Sequence, residues 1–342
     1  MIKKIFSIGL VLATLFSCKS KVETHPNIIF IMSDDHAYQA VSAYGYGLNN
    51  TPNIDRIAAE GALFQKGFVT NSICAPSRAV MLTGKHSFVN GKVDNIQDFT
   101  WDQDNFAKHL QKAGYQTALI GKIHLRGLPQ GFDYSAVLPG QGHYYNPDFI
   151  INGIKERIEG YVTSVTTNLA LDWLKNKREK TQPFLMLYHQ KAPHRNWKPE
   201  EKYLRLFDDK TFDPPANFFD DYSNRGTAAK SQEMLIAASE EQIAAAHGNG
   251  GHGRWGHDFK MLTDPYGNAT GFERELERFN PEQKQAWLDA YTPKNEAMKS
   301  MNLQGQELAL WKFNRYLKDY LRTIQSVDDG VGEVLNYLDQ EG

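Results

Sequence analysis

The sequence predicts an α/β fold, a mostly parallel sheet covered by helices on both faces. Three observations carry this. Short continuous apolar runs alternate with segments of helical periodicity over residues 27–188. The chain, at 342 residues, is long enough for one large α/β domain or two modest ones. Its 41% hydrophobic and 12% aromatic content excludes wholesale disorder.

Residues 1–17 begin Met-Ile-Lys-Lys, continue as an apolar run from Ile5 to Phe16, and close on Ser17, the pattern of a secretory signal. The run is shorter than the ~20 residues a membrane-crossing helix needs. Leu15-Phe16-Ser17-Cys18 resembles a bacterial lipobox, with Phe16 bulky for its place; it implies cleavage before Cys18 and lipidation of that residue. An ordinary signal peptide followed by a chance cysteine is the alternative. Residues 18–26 then form a linker, and the protein is expected outside the cytoplasm, membrane-anchored, in the periplasm or on the cell surface.

Asn27 to Ser33 is a continuous apolar run closed by Asp34-Asp35, which reads as a strand buried on both faces. Thr51-Pro52 opens a helix with Ile54, Ile57 and Ala58 on one face. Ala62 to Val69 is a second strand candidate, and Ala75-Pro76-Ser77-Arg78 starts another helix. A helix over Phe106 to Ala113 stops at Gly114, followed by a strand from Thr117 to Gly121. Thr163 to Lys177 has helical spacing, and Pro183 leads into a strand over Phe184 to Tyr188. From Asp208 to Asn268 periodicity fades, which reads as an irregular insertion or lid. Tyr316, Tyr320, Ile324, Val327, Val331, Val334 and Leu338 recur at steps of four and three along a closing helix. An alternation that stops on a helix reads as cut short, with its next strand expected after Gly342.

Composition narrows the function classes. Lys+Arg of 38 against Asp+Glu of 40 gives net charge −2, so no basic excess argues for nucleic acid as a partner. Two cysteines, Cys18 and Cys74, exclude a disulfide framework and a zinc ribbon.

Asp34 and Asp35 are adjacent carboxylates where open α/β sheets place ligands. A hard divalent cation would relieve their repulsion, while a turn or helix cap explains the same residues without one. In Cys74-Ala-Pro-Ser-Arg78 the proline suits a first helical position, placing Cys74 at a helix amino end with Arg78 one turn on. A nucleophile there would be directed at an anion such as sulfate or phosphate; a buried, inert cysteine is the alternative. His247, His252 and His257, five apart among glycines, do not align on a helix face; they read as part of a lid over a sugar rather than a zinc site. The stretch Leu138 to Pro147 reads either as a carbohydrate-lining loop, with its tyrosines stacking on sugars, or as plain surface.

At this point a family resemblance becomes specific. Cys-x-Pro-Ser-Arg resembles the signature of type I sulfatases, whose cysteine is oxidised to formylglycine after translation. Asn27 to Asp35, Thr51 to Arg56, Ala75 to Lys85, Gly121-Lys-Ile-His124 and Ala192-Pro-His194 are similar to that family's motifs and fall in its order. The resemblance implies an alkaline-phosphatase-like three-layer α/β/α fold, incomplete at its C-terminal side. It implies that Asp34, Asp35 and the modified Cys74 bind calcium, with magnesium as the alternative, and that a maturase or formylglycine-generating enzyme acts on Cys74. It further implies that Arg78 supports the attacking oxyanion and Lys122 grips the sulfate. His124 would help collapse the sulfated intermediate, and His194 would protonate or orient the leaving alcohol.

The chain departs from the family after Tyr188, where no apolar strand is followed by a second acidic–amide or acidic–His ligand pair. Asp328-Asp329-Gly330 sits between Val327 and Val331 on the closing helix and reads as structural. Residues 1–342 are therefore expected to be an amino-terminal fragment that binds metal weakly and turns over little. Gly131 to Tyr134, Leu138 to Gly142, Tyr145 to Phe149 and Gly160 to Val162 resemble bacterial N-acetylglucosamine-6-sulfatases. That implies sulfated glycans, mucin O-glycans or glycosaminoglycans, as substrate. A phosphonate or phosphate ester hydrolase of the same fold, and a non-catalytic glycan-binding lipoprotein, are the competing readings.

Overall fold

Ile28–Met32 forms the first strand, β1, in the computed structural model, which describes residues 25–230, 236 and 276–341. Next come helices α1 (Pro52–Glu60), α2 (Cys74–Thr83), a short α3 (Ser87–Asn90) and α4 (Phe106–Lys112). Strands β2 (Gln116–Lys122), β3 (Tyr134–Leu138), β4 (Asp148–Ile151) and β5 (Ile154–Arg157) follow. Helix α5 (Val162–Asp172) leads to strand β6 (Phe184–His189). A short α6 (Thr227–Lys230), then α7 (Pro281–Met301) and α8 (Gly305–Glu341), complete the described elements.

Local chemistry accounts for the boundaries. Pro52 opens α1, where its missing N–H is not needed. The Asn105 side chain caps α4 by accepting the Lys108 N–H at 3.0 Å. Gly84 ends α2 at φ +65°, its N–H returning to the Val80 carbonyl.

The sheet order is β1-β6-β2-β3-β4-β5. The first four strands run parallel, and β4 and β5 fold back antiparallel as an edge hairpin. Strand periodicity divides β6 between two cores. Phe184, Met186 and Tyr188 pack in a core with residues of α5, α7 and α8, whereas Leu185 and Leu187 pack with residues of α2 and α4. A layer of helices thus covers each face, as expected. Helix α8 lies close enough to α5 and β6 that a Cβ on Gly330 would sit 2.5 Å from Thr167 Oγ1 and 2.7 Å from the Tyr188 hydroxyl.

Several expectations are corrected. Residues 62–69 form no strand; Phe64, Phe68 and Val69 are exposed in a loop. No strand in the described sheet pairs with this segment, and β-propensity without a pleated surface to pack on does not make one. Strand β1 is only half-buried, with Phe30 37% exposed, because it is an edge of the described sheet rather than an interior strand. Tyr144 and Tyr145 are buried in the core, their hydroxyls donating to the carbonyls of His194 and Pro199, so neither ring is open to a sugar. The periodic stretch ending at Lys177 breaks from α5 into a π-helical turn at Trp173–Lys177. Tyr134–Leu138, to which the sequence reading assigned no element, is a fully buried strand. Asp328 and Asp329 are structural, as read. Asp328 accepts the Asn53 and Ile54 N–H groups at 3.3 and 2.9 Å, capping α1, and Asp329 pairs with Lys202.

Residues 1–17, Cys18, His247, His252 and His257 lie outside the described residues, as does most of the insertion expected over 208–268. No described helix is long and apolar enough to cross a membrane.

Candidate active site

The site forms at the carboxyl ends of three adjacent parallel strands, where open α/β sheets bind ligands. Asp34 and Asp35 follow β1, Lys122 closes β2 with His124 just beyond, and His189 closes β6 between them. Backbone pairing continues past the strand ends. Gln190 N–H donates to the Met32 carbonyl at 2.7 Å, and Asp34 N–H to the Ala192 carbonyl at 3.2 Å. This brings the segment carrying His194 against Asp34. Helix α2 presents Cys74 as its first residue, with Arg78 one turn on. The expected residues Asp34, Asp35, Cys74, Arg78, Lys122 and His194 are therefore brought into one electrostatic neighbourhood.

Asp34 is 6% exposed and makes ion pairs with Lys122 and, at 3.6 Å, with Arg78. Burial opposes its charge, but the Lys122 and Arg78 charges outweigh burial and hold the carboxyl below its usual range. Asp35 is pushed the other way, by burial and then by the Asp34 charge. Its backbone is left-handed, φ +60°, and is pinned from α8, whose Tyr320 hydroxyl donates to the Asp35 carbonyl at 2.9 Å and accepts the Ala37 N–H at 2.6 Å.

Asp34, Cys74 and His194 each place a ligating atom within 4.8 Å of the others. Asp35 Oδ2 lies 3.5 Å from His194 Nε2. This donor set fits a divalent cation: two neighbouring carboxylates whose mutual repulsion the raised Asp35 carboxyl records. His194 enters the donor set in addition to the three expected ligands.

The histidines are held neutral. Burial, with Lys122 and Arg78, lowers His124 to about 4; burial, with Lys122 and Lys191, lowers His194 to about 3. His194 Nδ1 lies 2.5 Å from the Arg195 carbonyl, which only accepts, so the ring proton sits on Nδ1 and Nε2 presents a lone pair. In this state His194 can ligate or accept a proton, and must be protonated before it can donate one to a leaving alcohol. His124 adopts φ +53°, and its buried Nδ1 has no hydrogen-bond partner among the described residues. The Cys74 thiol is pushed up by burial and by Asp34, so the unmodified cysteine is a poor thiolate despite its place at a helix amino end.

Sequence reasoning missed His189, Gln141 and Tyr320. His189 ended an apolar strand without a motif of its own, Gln141 lay in the stretch read either as a sugar-lining loop or as plain surface, and Tyr320 counted as helix core. Gln141 accepts a hydrogen bond from the Lys122 ammonium, so that loop serves the site through Gln141 and not through its tyrosines.

Fold and site together define an α/β protein that gathers carboxylates, a cysteine and buried cations at its strand ends, a cradle for a cation and an oxyanion. The chain belongs to the sulfatase family, whose model matches residues 26–342. It is 44% identical over 338 residues to an N-acetylglucosamine-6-O-sulfatase of Bacteroides thetaiotaomicron, covering 96% of this chain and 58% of that relative. A solved structure of a protein in complex with its substrate D-glucosamine-2-N,6-O-disulfate matches with a TM-score of 0.84 and 44% identity, over 93% of this chain and 63% of that one. The chain thus spans about three fifths of the length of these relatives. A phosphonate monoester hydrolase of Agrobacterium radiobacter matches at 16% identity with a TM-score of 0.54, covering 93% of this chain and 60% of its own; it shares the fold.

Proposed function

We propose that the protein hydrolyses sulfate esters on glycans, with 6-O-sulfated N-acetylglucosamine units as substrate. The observation that carries this reading is the meeting of Cys74, Asp34 and His194 beside two buried cations, Arg78 and Lys122, which could hold a sulfate. The Bacteroides relative, similar over nearly the whole chain, supports the choice of sugar.

In this reading Cys74 is oxidised to formylglycine by a maturase. The hydrated aldehyde would supply a nucleophilic oxygen, and a divalent cation, calcium in our reading, would stabilise it as an oxyanion. Asp34 and Asp35 would hold that cation together with the modified residue 74. Arg78 is fixed with its guanidinium beside Asp34 and neutralises charge developing at position 74. Lys122, buried and hydrogen-bonded to Gln141, grips a sulfate oxygen. His124 is neutral and its Nδ1 is uncommitted, so it can exchange a proton with a hydroxyl at position 74. His194 orients the leaving alcohol.

We also propose that Cys18 is lipidated and anchors the protein outside the cytoplasm, on the strength of the signal-like residues 1–17. The test of the activity is release of sulfate from 6-O-sulfated N-acetylglucosamine by the full-length protein from its native host, with mass spectrometry of the Cys74 peptide. Sulfate release with an aldehyde-bearing peptide is expected; an unmodified thiol in active protein would overturn the mechanism.

A further inference from the structure

We propose that His189 is a positioning residue that aims the Arg78 guanidinium at the anion site. The inference rests on the sulfatase reading for its reaction and on geometry for its residue.

The sheet order decides where His189 stands. Strand β6 lies between β1 and β2, so its last residue falls between Asp34, beyond β1, and Lys122, at the end of β2. The register pairs His189 with Met32 on one side and Gly121 on the other. Gly121 has φ +103°, and a Cβ there would stand 1.8 Å from the His189 carbonyl oxygen, so the close approach of these strand ends requires glycine.

The imidazole is fully buried, edge-on to the Phe30 ring. Its Nδ1 lies 3.3 Å from Arg78 Nη1 and 3.2 Å from the Lys122 carbonyl oxygen. Arg78 Nη1 also donates to that carbonyl. Of these three atoms the carbonyl can only accept and the guanidinium can only donate. Nη1 carries two hydrogens, enough to give one to the Lys122 carbonyl and one to Nδ1. In the tautomer we assign to it, His189 accepts at Nδ1 from Arg78 and carries its proton on Nε2, which has no hydrogen-bond partner among the described residues. With Nη1 held twice, Nη2 is left facing Asp34, so the plane of the guanidinium is set by His189 and the end of β2.

Asparagine and glutamine separate this role from mere filling of space. The Asn amide oxygen can take the place of Nδ1, whereas that of Gln reaches towards Nε2. We would measure steady-state hydrolysis of a 6-O-sulfated N-acetylglucosamine substrate by the full-length protein, and inorganic sulfate binding by calorimetry, for His189→Leu, His189→Asn and His189→Gln. His189→Leu and His189→Gln are expected to lower kcat/KM about tenfold or more and to weaken sulfate binding in proportion, with His189→Asn recovering most of the loss. In an Arg78→Lys background, His189→Leu should add less than about a twofold loss of sulfate affinity, because its partner is already gone. Equal behaviour of the Asn and Gln variants, or a full Leu effect without Arg78, would overturn the proposal. A wild-type protein that releases no sulfate yet shows this binding pattern refutes the sulfatase reading and leaves the positioning role standing. A wild-type protein that binds no sulfate overturns both.

Discussion

Cys74 shows at the scale of one residue what the proposed modification would overcome. At a helix amino end a thiol is usually acidified, but here burial and the Asp34 carboxylate reverse that. Unmodified Cys74 is accordingly expected to alkylate more slowly at pH 8 than a free thiol, and Asp34→Asn to speed it up, since removing the negative charge lowers the thiol pKa. A slower reaction in Asp34→Asn would contradict the electrostatic account. Lys122 works in the opposite sense: it neutralises Asp34 and, in the proposed mechanism, grips the sulfate. Lys122→Met should reduce kcat/KM by ~10²-fold or more, as loss of one preorganised charge donor does. A change under ~3-fold would remove it from sulfate binding.

Elements meet at α8, whose Asp328 caps α1 and whose Gly330 lets the helix approach α5 and β6. Asp328→Ala leaves the N–H groups of Asn53 and Ile54 without their acceptor, and should cost about 1–2 kcal/mol in urea unfolding. Gly330→Val drives a branched side chain into Thr167 and the Tyr188 hydroxyl, and should cost about 1–3 kcal/mol by overpacking. Because Tyr320 of the same helix holds the Asp35 backbone, a shift of α8 is expected to reach the site, read as weaker calcium binding in Gly330→Val. The same helix was legible in sequence from its apolar stripe over Tyr316 to Leu338, but its role in fixing Asp35 was not, because Tyr320 lies 285 positions away.

For the whole molecule, buried neutral histidines set an acid limit. Burial lowers His36 to about 4 and His189 to about 3, whereas an unfolded histidine titrates near 6.5. Between those values the unfolded chain binds more protons than the folded one, so stability falls as pH drops from about 6.5 towards 4. Unfolding midpoints at pH 7.5, 6 and 5 should decrease in that order, and a flat profile would contradict the burial of these rings. If Asp34 and Asp35 hold a cation as proposed, stability gains a metal dependence. Calcium should raise the thermal midpoint of the full-length protein by mass action, and Asp34→Asn should abolish the rise.

Periodicity and the helix-start proline at Pro76 were enough to determine the α/β class and the helices around Cys74 and along the closing helix, and the resemblance of the ordered motifs to the sulfatases named the candidate residues Asp34, Asp35, Cys74, Arg78, Lys122, His124 and His194. These signals are local, so one chain carries them. The tertiary structure alone decided that residues 62–69 are loop, that Tyr144 and Tyr145 are core, and that His189 stands between Asp34 and Lys122. Each of those depends on which strands are neighbours and which faces are covered, and strand order joins residues more than a hundred positions apart. No window of sequence contains such a pairing, because its free energy arises only when the sheet closes around it.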